Sequence, residues 1–248
     1  MKASERKNEY CRPLWLAFAI ISALIVCAAG VIQLIELRQL WYDMGAVGKL
    51  GFILRLVGAV MMLAGALGGI VGAASKERSV SFLSSLFVLV GVTIYPIYLW
   101  YSIAAGVDFS HPFYFDFSSD TNRVFTLSQL SAYAAAVGLV LNLVGLSRRF
   151  AKKKSTRLIT LIGMVFLFAS AAFMASNVLI GFDLASFGGD VVLLVKSLTL
   201  SLGNPLALVL VGIGNLALSQ ARVEKKKEEE PRLNLDGEEE DKDVIVVE

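Results

Sequence analysis

Six apolar stretches of about 20 residues each dominate this sequence, and each is long enough to cross the hydrocarbon layer of a membrane as a helix. The stretches run from Leu14 to Leu34, Leu56 to Ala74, Phe82 to Ala105, Leu127 to Leu146, Leu158 to Ile180 and Leu198 to Leu218. Because a bilayer offers the backbone no hydrogen-bond partner, such runs must satisfy their amides internally, as a helix does. Hydrophobic residues make up 56% of the chain, and its mean hydropathy of +0.68 exceeds that of an ordinary soluble domain. The sequence therefore predicts an all-α integral membrane protein, a six-helix transmembrane bundle.

The cations between the stretches predict the orientation of the chain, since positively charged flanks are retained in the cytoplasm. One side carries Lys2, Arg6, Lys7, Arg12, Lys76, Arg78, the basic run 148–157, and Arg222, Lys225, Lys226 and Lys227, whereas the opposite loops carry Arg38, Lys49 and Arg123. Both termini are therefore predicted to be cytoplasmic, with the chain in the cell membrane. Amphipathic rings favour the headgroup layer, so Trp15 is expected at the inner interface and Tyr98 at the outer one.

The same pattern divides the chain into a cytoplasmic segment (residues 1–13), the six-helix domain (14–220) and a charged tail (221–248). The tail has too little apolar content to fold alone. Its last residues, Val244 to Glu248, form an apolar patch of sufficient length to add a strand to a partner's sheet. Partner docking and an unstructured end are the two alternatives for this patch.

Spacing suggests that the helices form three tandem helical hairpins. Lys76, Arg149 and Arg222 close the predicted hairpins at equal intervals of 73 residues. Alternating topology by itself also places cations at hairpin ends, which is the simpler explanation. A third alternative divides the bundle into two inverted halves, with Pro96 and Pro205 in corresponding helices.

The second stretch carries the clearest packing signal. Glycines recur there every seven residues at Gly51, Gly58, Gly65 and Gly72, and Gly69 adjoins them. Small residues allow two helices to approach closely in lipid. We therefore predict Gly58, Gly65, Gly69 and Gly72 as helix-packing residues, either within the bundle or between copies in a homo-oligomer.

Pro96, Asn204 and Pro205 are the best candidates for a transport cavity, because a proline in a membrane helix removes an amide donor and frees carbonyl groups. The simpler structural explanation for these residues is a helix kink with interhelical hydrogen bonds. The membrane stretches contain few charges. Arg55 and Lys196 lie close to the predicted outer ends of their helices, so we expect both side chains to extend to water.

No segment carries a recognisable catalytic, metal or nucleotide motif, and His111 in an aromatic outer loop matches no established metal-ligand spacing. The sequence therefore predicts neither an enzyme nor a cofactor, metal or nucleic-acid site. The leading hypothesis is a polytopic membrane protein with an association or accessory role, in which it contacts the lipid bilayer and a membrane-protein partner or a second copy. The alternative is a transporter or channel for a neutral or lipophilic solute.

Overall fold

A computed structural model of the chain describes residues 3–37, 42, 45–75, 78–104, 115–150, 157–180 and 187–220. The helices are α1 (Ala3–Leu37), α2 (Ala46–Ser75), α3 (Arg78–Ala104), α4 (Asp120–Phe150), α5 (Arg157–Ile180) and α6 (Val191–Gln220). All six are long and apolar enough to cross a membrane, and the described residues form no strand. The predicted all-helical class with six such helices is confirmed. His111 and the patch Val244–Glu248 lie outside the described residues.

The helices form a closed ring in chain order, because each packs on the next and α6 returns to α1. The largest interfaces are α2 with α3, α4 with α5 and α1 with α6, and they alternate with smaller ones around the ring. Helices α3 and α6 also touch across its centre. The end of the ring where α1 ends and α2 begins is the one predicted to face outward, and it is called the outer end below.

Helix α4 begins at Asp120, earlier than the predicted start at Leu127. The preceding residue, Ser119, explains the difference because its hydroxyl oxygen accepts the backbone N–H of Asn122 at 3.2 Å. This bond satisfies one of the amides that a helix leaves unpaired at its N-terminus. The polar first turns are therefore helical although their hydropathy is low.

Helix α6 likewise begins at Val191 rather than at the predicted Leu198. One carboxylate oxygen of Asp190 accepts the backbone N–H groups of Val192 and Leu193 at 2.9 and 3.1 Å. An N-cap aspartate also interacts favourably with the helix dipole. The outer end of α6 is thus defined by a cap that a hydropathy window does not detect.

Polar residues lie inside the ring and large apolar residues lie on its surface. The buried polar residues are Ser22, Arg55, Ser84, Ser85, Thr93, Thr126, Ser128, Gln129, Ser131, Asn142, Thr160, Ser170, Asn204 and Asn215. On the surface, Val60, Leu179 and Val192 are 66%, 69% and 70% exposed. The ring also buries apolar side chains such as Met62 and Leu89, so its apolar exterior is the feature that distinguishes it from a water-soluble domain.

Two of the large interfaces share one contact register. The contacts of Gly72 with Ser81, Gly65 with Val88 and Gly58 with Gly91 correspond to those of Gly145 with Thr160, Gly138 with Leu167 and Ser131 with Ser170. Each α4 residue is numbered 73 higher than the corresponding α2 residue, and each α5 residue is numbered 79 higher than the corresponding α3 residue. The α2–α3 and α4–α5 pairs therefore have equivalent packing despite different side chains.

Candidate functional site

The glycine stripe of α2 faces α3 within the same chain. A Cβ atom placed on Gly58 would lie 2.7 Å from the carbonyl oxygen of Gly91, and one on Gly65 would lie 2.7 Å from that of Ser84. A Cβ atom on Gly72 would lie 2.9 Å from the hydroxyl oxygen of Ser81. Because these distances are shorter than van der Waals contact, the two backbones approach more closely than any larger residue permits.

Gly69 points away from α3 and contacts α1. A Cβ atom on Gly69 would lie 2.8 Å from the ring of Trp15, whose indole nitrogen donates a 3.3 Å hydrogen bond to the Oδ1 atom of Asn215 on α6. Trp15 is only 5% exposed, and its position at the inner membrane interface stays a prediction. The indole joins three helices, because its donor finds a partner and its apolar body fills the space beside a glycine.

Arg55 is the charged residue that the structure buries most unexpectedly. Its side chain is 7% exposed, and the expectation that it extends to water is therefore wrong. The Nη1 group donates to the Oε1 atom of Gln33 on α1, and the Nη2 group donates to the carbonyl oxygen of Leu200 on α6, both at 2.9 Å. The guanidinium also lies over the ring of Tyr95 on α3, 4.1 Å from its centroid. Arg55 thus connects four helices.

The partners of Arg55 explain how α2 accommodates this cation within an apolar helix. The carbonyl of Leu200 lies in α6 one turn before Asn204, and because a carbonyl oxygen has two lone pairs it can accept from Arg55 in addition to a donor of its own helix. The face of Tyr95 attracts the guanidinium by a cation–π interaction of about 2 kcal/mol where water is excluded. These contacts replace hydration that the side chain loses on burial. Helix α2 begins at Ala46, well before the predicted start at Leu56, so Arg55 lies inside the helix.

An ion pair lies one helical turn closer to the outer end than the Arg55 contacts. Lys196 on α6 and Glu36 on α1 approach to 2.7 Å, and each side chain is 37% exposed. Lys196 precedes Leu200 by four residues, and Glu36 follows Gln33 by three. The pair and Arg55 together carry two positive charges and one negative charge. The group Arg55, Gln33, Tyr95, Leu200, Lys196 and Glu36 is called the Arg55 cluster below.

The predicted cavity residues are brought close to this cluster. Pro96 follows Tyr95 in α3, Asn204 lies one turn from Leu200 in α6, and Pro96, Asn204 and Pro205 are all buried. The Nδ2 group of Asn204 has no hydrogen-bond partner among the described residues. Arg55 therefore links the two proline-containing helices that the sequence analysis singled out.

The other asparagines form contacts inside the bundle. Asn177 on α5 donates through Nδ2 to the hydroxyl of Ser128 on α4 at 2.7 Å. Asn142 donates through Nδ2 to the carbonyl of Gly138 one turn earlier, at 2.8 Å. Asn215 accepts the indole bond of Trp15 described above. Two of these three amides thus connect neighbouring helices.

The segment before α4 folds against the first turns of that helix. The backbone N–H of Asp116 donates to the hydroxyl oxygen of Thr126 at 3.0 Å, and the Nδ2 group of Asn122 donates to the Asp116 carboxylate at 2.6 Å. Arg123 donates to the carbonyl of Phe117 at 2.9 Å. Within the described part of the chain, no group of three or more His, Cys, Asp or Glu side chains is arranged to hold a metal ion. The segment is therefore assigned a role in fixing the start of α4.

Tyr98, whose position at the outer interface stays a prediction, is only 7% exposed and lies against Gly51 of α2. The missing side chain at Gly51 leaves the space that the phenol ring occupies.

Comparisons of the chain with known protein families, with curated proteins and with solved structures find no match.

Proposed function

We propose that this chain is a multi-pass protein of the cell membrane with both termini in the cytoplasm. The apolar surface of the ring supports this proposal, because apolar surface of this extent in water drives aggregation, whereas in lipid it is the expected exterior. The alternation of basic and weakly charged loops supports the orientation. The proposal includes the division of the chain into a cytoplasmic segment (1–13), a six-helix membrane domain (14–220) and a cytoplasmic tail (221–248).

Cysteine labelling in intact cells tests this orientation. In a chain with Cys11 and Cys27 replaced by alanine, single cysteines introduced at Ser4 and in the tail at Asp236 should both resist a membrane-impermeant thiol reagent. A cysteine at Ser118, before α4, should react. Termini that label from opposite sides of the membrane would refute the proposed topology.

We further propose that the protein is not an enzyme and has an association or accessory role. The glycine stripe is occupied by α3 at Gly58 and Gly65, so the observation that carries this proposal is the exposed apolar exterior of the ring, which includes Val60 and Leu179. A closed ring with an apolar exterior leaves loops, tail and lipid-facing surface for a partner. The tail patch Val244–Glu248 remains our candidate for binding a membrane-protein partner, and a second copy of the chain is the other candidate.

Co-purification tests the association role. The full chain and a chain ending at Pro231 are isolated from the source membrane in a mild detergent, and their bound proteins and masses are compared. We expect the full chain to retain a partner or a second copy, and the shortened chain to lose a partner held by the tail. A full chain that is isolated alone and monomeric would contradict the association role.

The second candidate function is transport of a neutral or lipophilic solute, and the surroundings of Asn204 favour it. Its Nδ2 group is buried without a partner, beside Pro205 and one turn from the carbonyl that binds Arg55. A polar group in this position is suited to line a path for a solute. Labelling of an Asn204→Cys variant in the chain lacking Cys11 and Cys27 tests this candidate. A water-filled path predicts reaction with a small impermeant thiol reagent, and protection would favour the association role.

We also propose that the six helices arose as three tandem hairpins. The shared register of the α2–α3 and α4–α5 contacts supports this proposal, as does the alternation of large and small interfaces around the ring. Asn142 and Asn215 are likewise 73 residues apart and both fully buried. The hairpins α1–α2, α3–α4 and α5–α6 should superpose on one another better than unrelated membrane hairpins do. Equal agreement with unrelated hairpins would refute the triplication.

A further inference from the structure

We propose that the Arg55 cluster binds one monoanionic oxyanion group, a phosphate ester or a carboxylate, at the outer end of the ring. The group is carried either by an anionic lipid headgroup or by a small soluble anion. The site depends on the guanidinium of Arg55, which has no carboxylate partner among the described residues. This inference is independent of the association and transport roles proposed above.

The first argument concerns charge. Arginine remains protonated in proteins, and a charge held in apolar surroundings is strongly disfavoured unless it is paired. The only carboxylate of the cluster, on Glu36, is bound to Lys196 at 2.7 Å. Among the described residues one positive charge is therefore uncompensated, and one monoanion would neutralise it.

The second argument concerns hydrogen bonding. A guanidinium carries five N–H donors, and its planar fork matches the two oxygens of a carboxylate or phosphate. Arg55 uses two of these donors, one for Gln33 and one for the carbonyl of Leu200. Both acceptors are neutral, so each is a weaker partner for the cation than an anionic oxygen. The remaining donors form no hydrogen bond with a described residue, and these are the donors that we propose bind the oxyanion.

The third argument concerns position. Arg55 lies nine residues from the start of α2, so it is about 14 Å along the helix at a rise of about 1.5 Å per residue. Lys196 lies closer to the outer end and is partly exposed, as is Glu36. The charges of Lys196 and Glu36 offset each other, so the attraction for an anion at this end comes from Arg55. The bound group is thus expected to enter from the outer leaflet or the outer solution.

Thermal unfolding of the purified full chain in neutral detergent tests the proposal. One arm adds inorganic phosphate against chloride at equal ionic strength, and the other adds micellar phosphatidylglycerol against phosphatidylcholine. We expect the Tm of the wild type to rise by about 5 °C at a hundredfold excess over Kd in at least one arm. A rise with phosphatidylglycerol alone identifies a lipid headgroup, whereas a rise in both arms identifies a site open to free anions.

Variants assign the effect to Arg55. Arg55→Gln removes the charge and should abolish the rise, while Arg123→Gln makes the same change at an exposed outer cation and should retain it. If Arg55→Gln shows no cooperative unfolding, Arg55→Lys is used, because it keeps the charge but loses the planar fork and should at least halve the rise. A wild type that responds in neither arm would overturn the proposal. So would a rise of full size in whichever Arg55 variant folds.

Discussion

Replacing Gly65 by alanine should destabilise the bundle, because the added methyl group meets backbone atoms of α3. Its Cβ atom would lie 2.7 Å from the carbonyl oxygen of Ser84 and 2.9 Å from the amide nitrogen of Val88. Backbone atoms cannot move to another rotamer, so α2 and α3 must separate by about 0.7 Å to reach the 3.4 Å of an ordinary contact. A gap of this size forfeits about a quarter to a half of each dispersion contact along the interface.

The expected magnitude follows from two opposing effects. Overpacking in a close interface costs about 1 to 3 kcal/mol, whereas alanine is favoured over glycine inside a helix by about 1 kcal/mol. The net loss is therefore about 0 to 2 kcal/mol relative to the wild type, and about 1 to 3 kcal/mol relative to a glycine-to-alanine change without overpacking. For a chain of this length, that corresponds to a decrease in Tm of about 2 to 4 °C per kcal/mol.

Gly30→Ala is the matched control. Gly30 is also inside a helix, but the nearest atom to its added Cβ would be the Cδ2 atom of Leu56 at 3.5 Å, an ordinary contact. We expect this variant to unfold at the wild-type temperature or slightly above it, since only helix propensity changes. The assay is far-ultraviolet circular dichroism of the purified chains during heating in one detergent. If Gly65→Ala unfolds at the same temperature as Gly30→Ala, the close approach of α2 and α3 is refuted.

Three further predictions concern single contacts, each measured by the same thermal assay. Trp15→Phe and Asn215→Leu should show a coupling of about 0.6 kcal/mol in a double-mutant cycle, and strictly additive effects would exclude the indole hydrogen bond. Lys196→Gln should cost under about 1 kcal/mol, because the pair with Glu36 is partly exposed; a larger loss would mean that the pair is shielded from water. Asp190→Ala should cost about 1 kcal/mol through the lost N-cap, and Asp190→Asn should restore most of it; equal effects of both variants would contradict the cap.

The number of helices was predictable because the length of an apolar run is a local property of the sequence. The starts of α4 and α6 were missed although their signals, Ser119 and Asp190, are present in the chain. A hydropathy window averages over polar first turns and does not register a capping residue. Reading N-cap residues next to each stretch would have corrected both boundaries.

The burial of Arg55 was not predictable from its place in the sequence. A cation near the end of an apolar helix ordinarily extends to water. Nothing in the sequence of α2 indicates that the guanidinium of Arg55 is buried instead. Its partners come from α1, α3 and α6, and the carbonyl of Leu200 is separated from it by 145 residues. The same holds for Trp15, whose partner Asn215 lies 200 residues away.

The sequence by itself therefore determined the helical class, the six apolar segments and the glycines that permit close packing, since each depends on composition within one segment. Tertiary structure decided which surface the glycines face, which aromatic rings are buried, and that a guanidinium lies among four helices. The physical reason is that in a bundle of apolar helices, burial of a polar group depends on whether a distant helix supplies a hydrogen-bond partner. The distant partner is in place only when all six helices have packed into the ring.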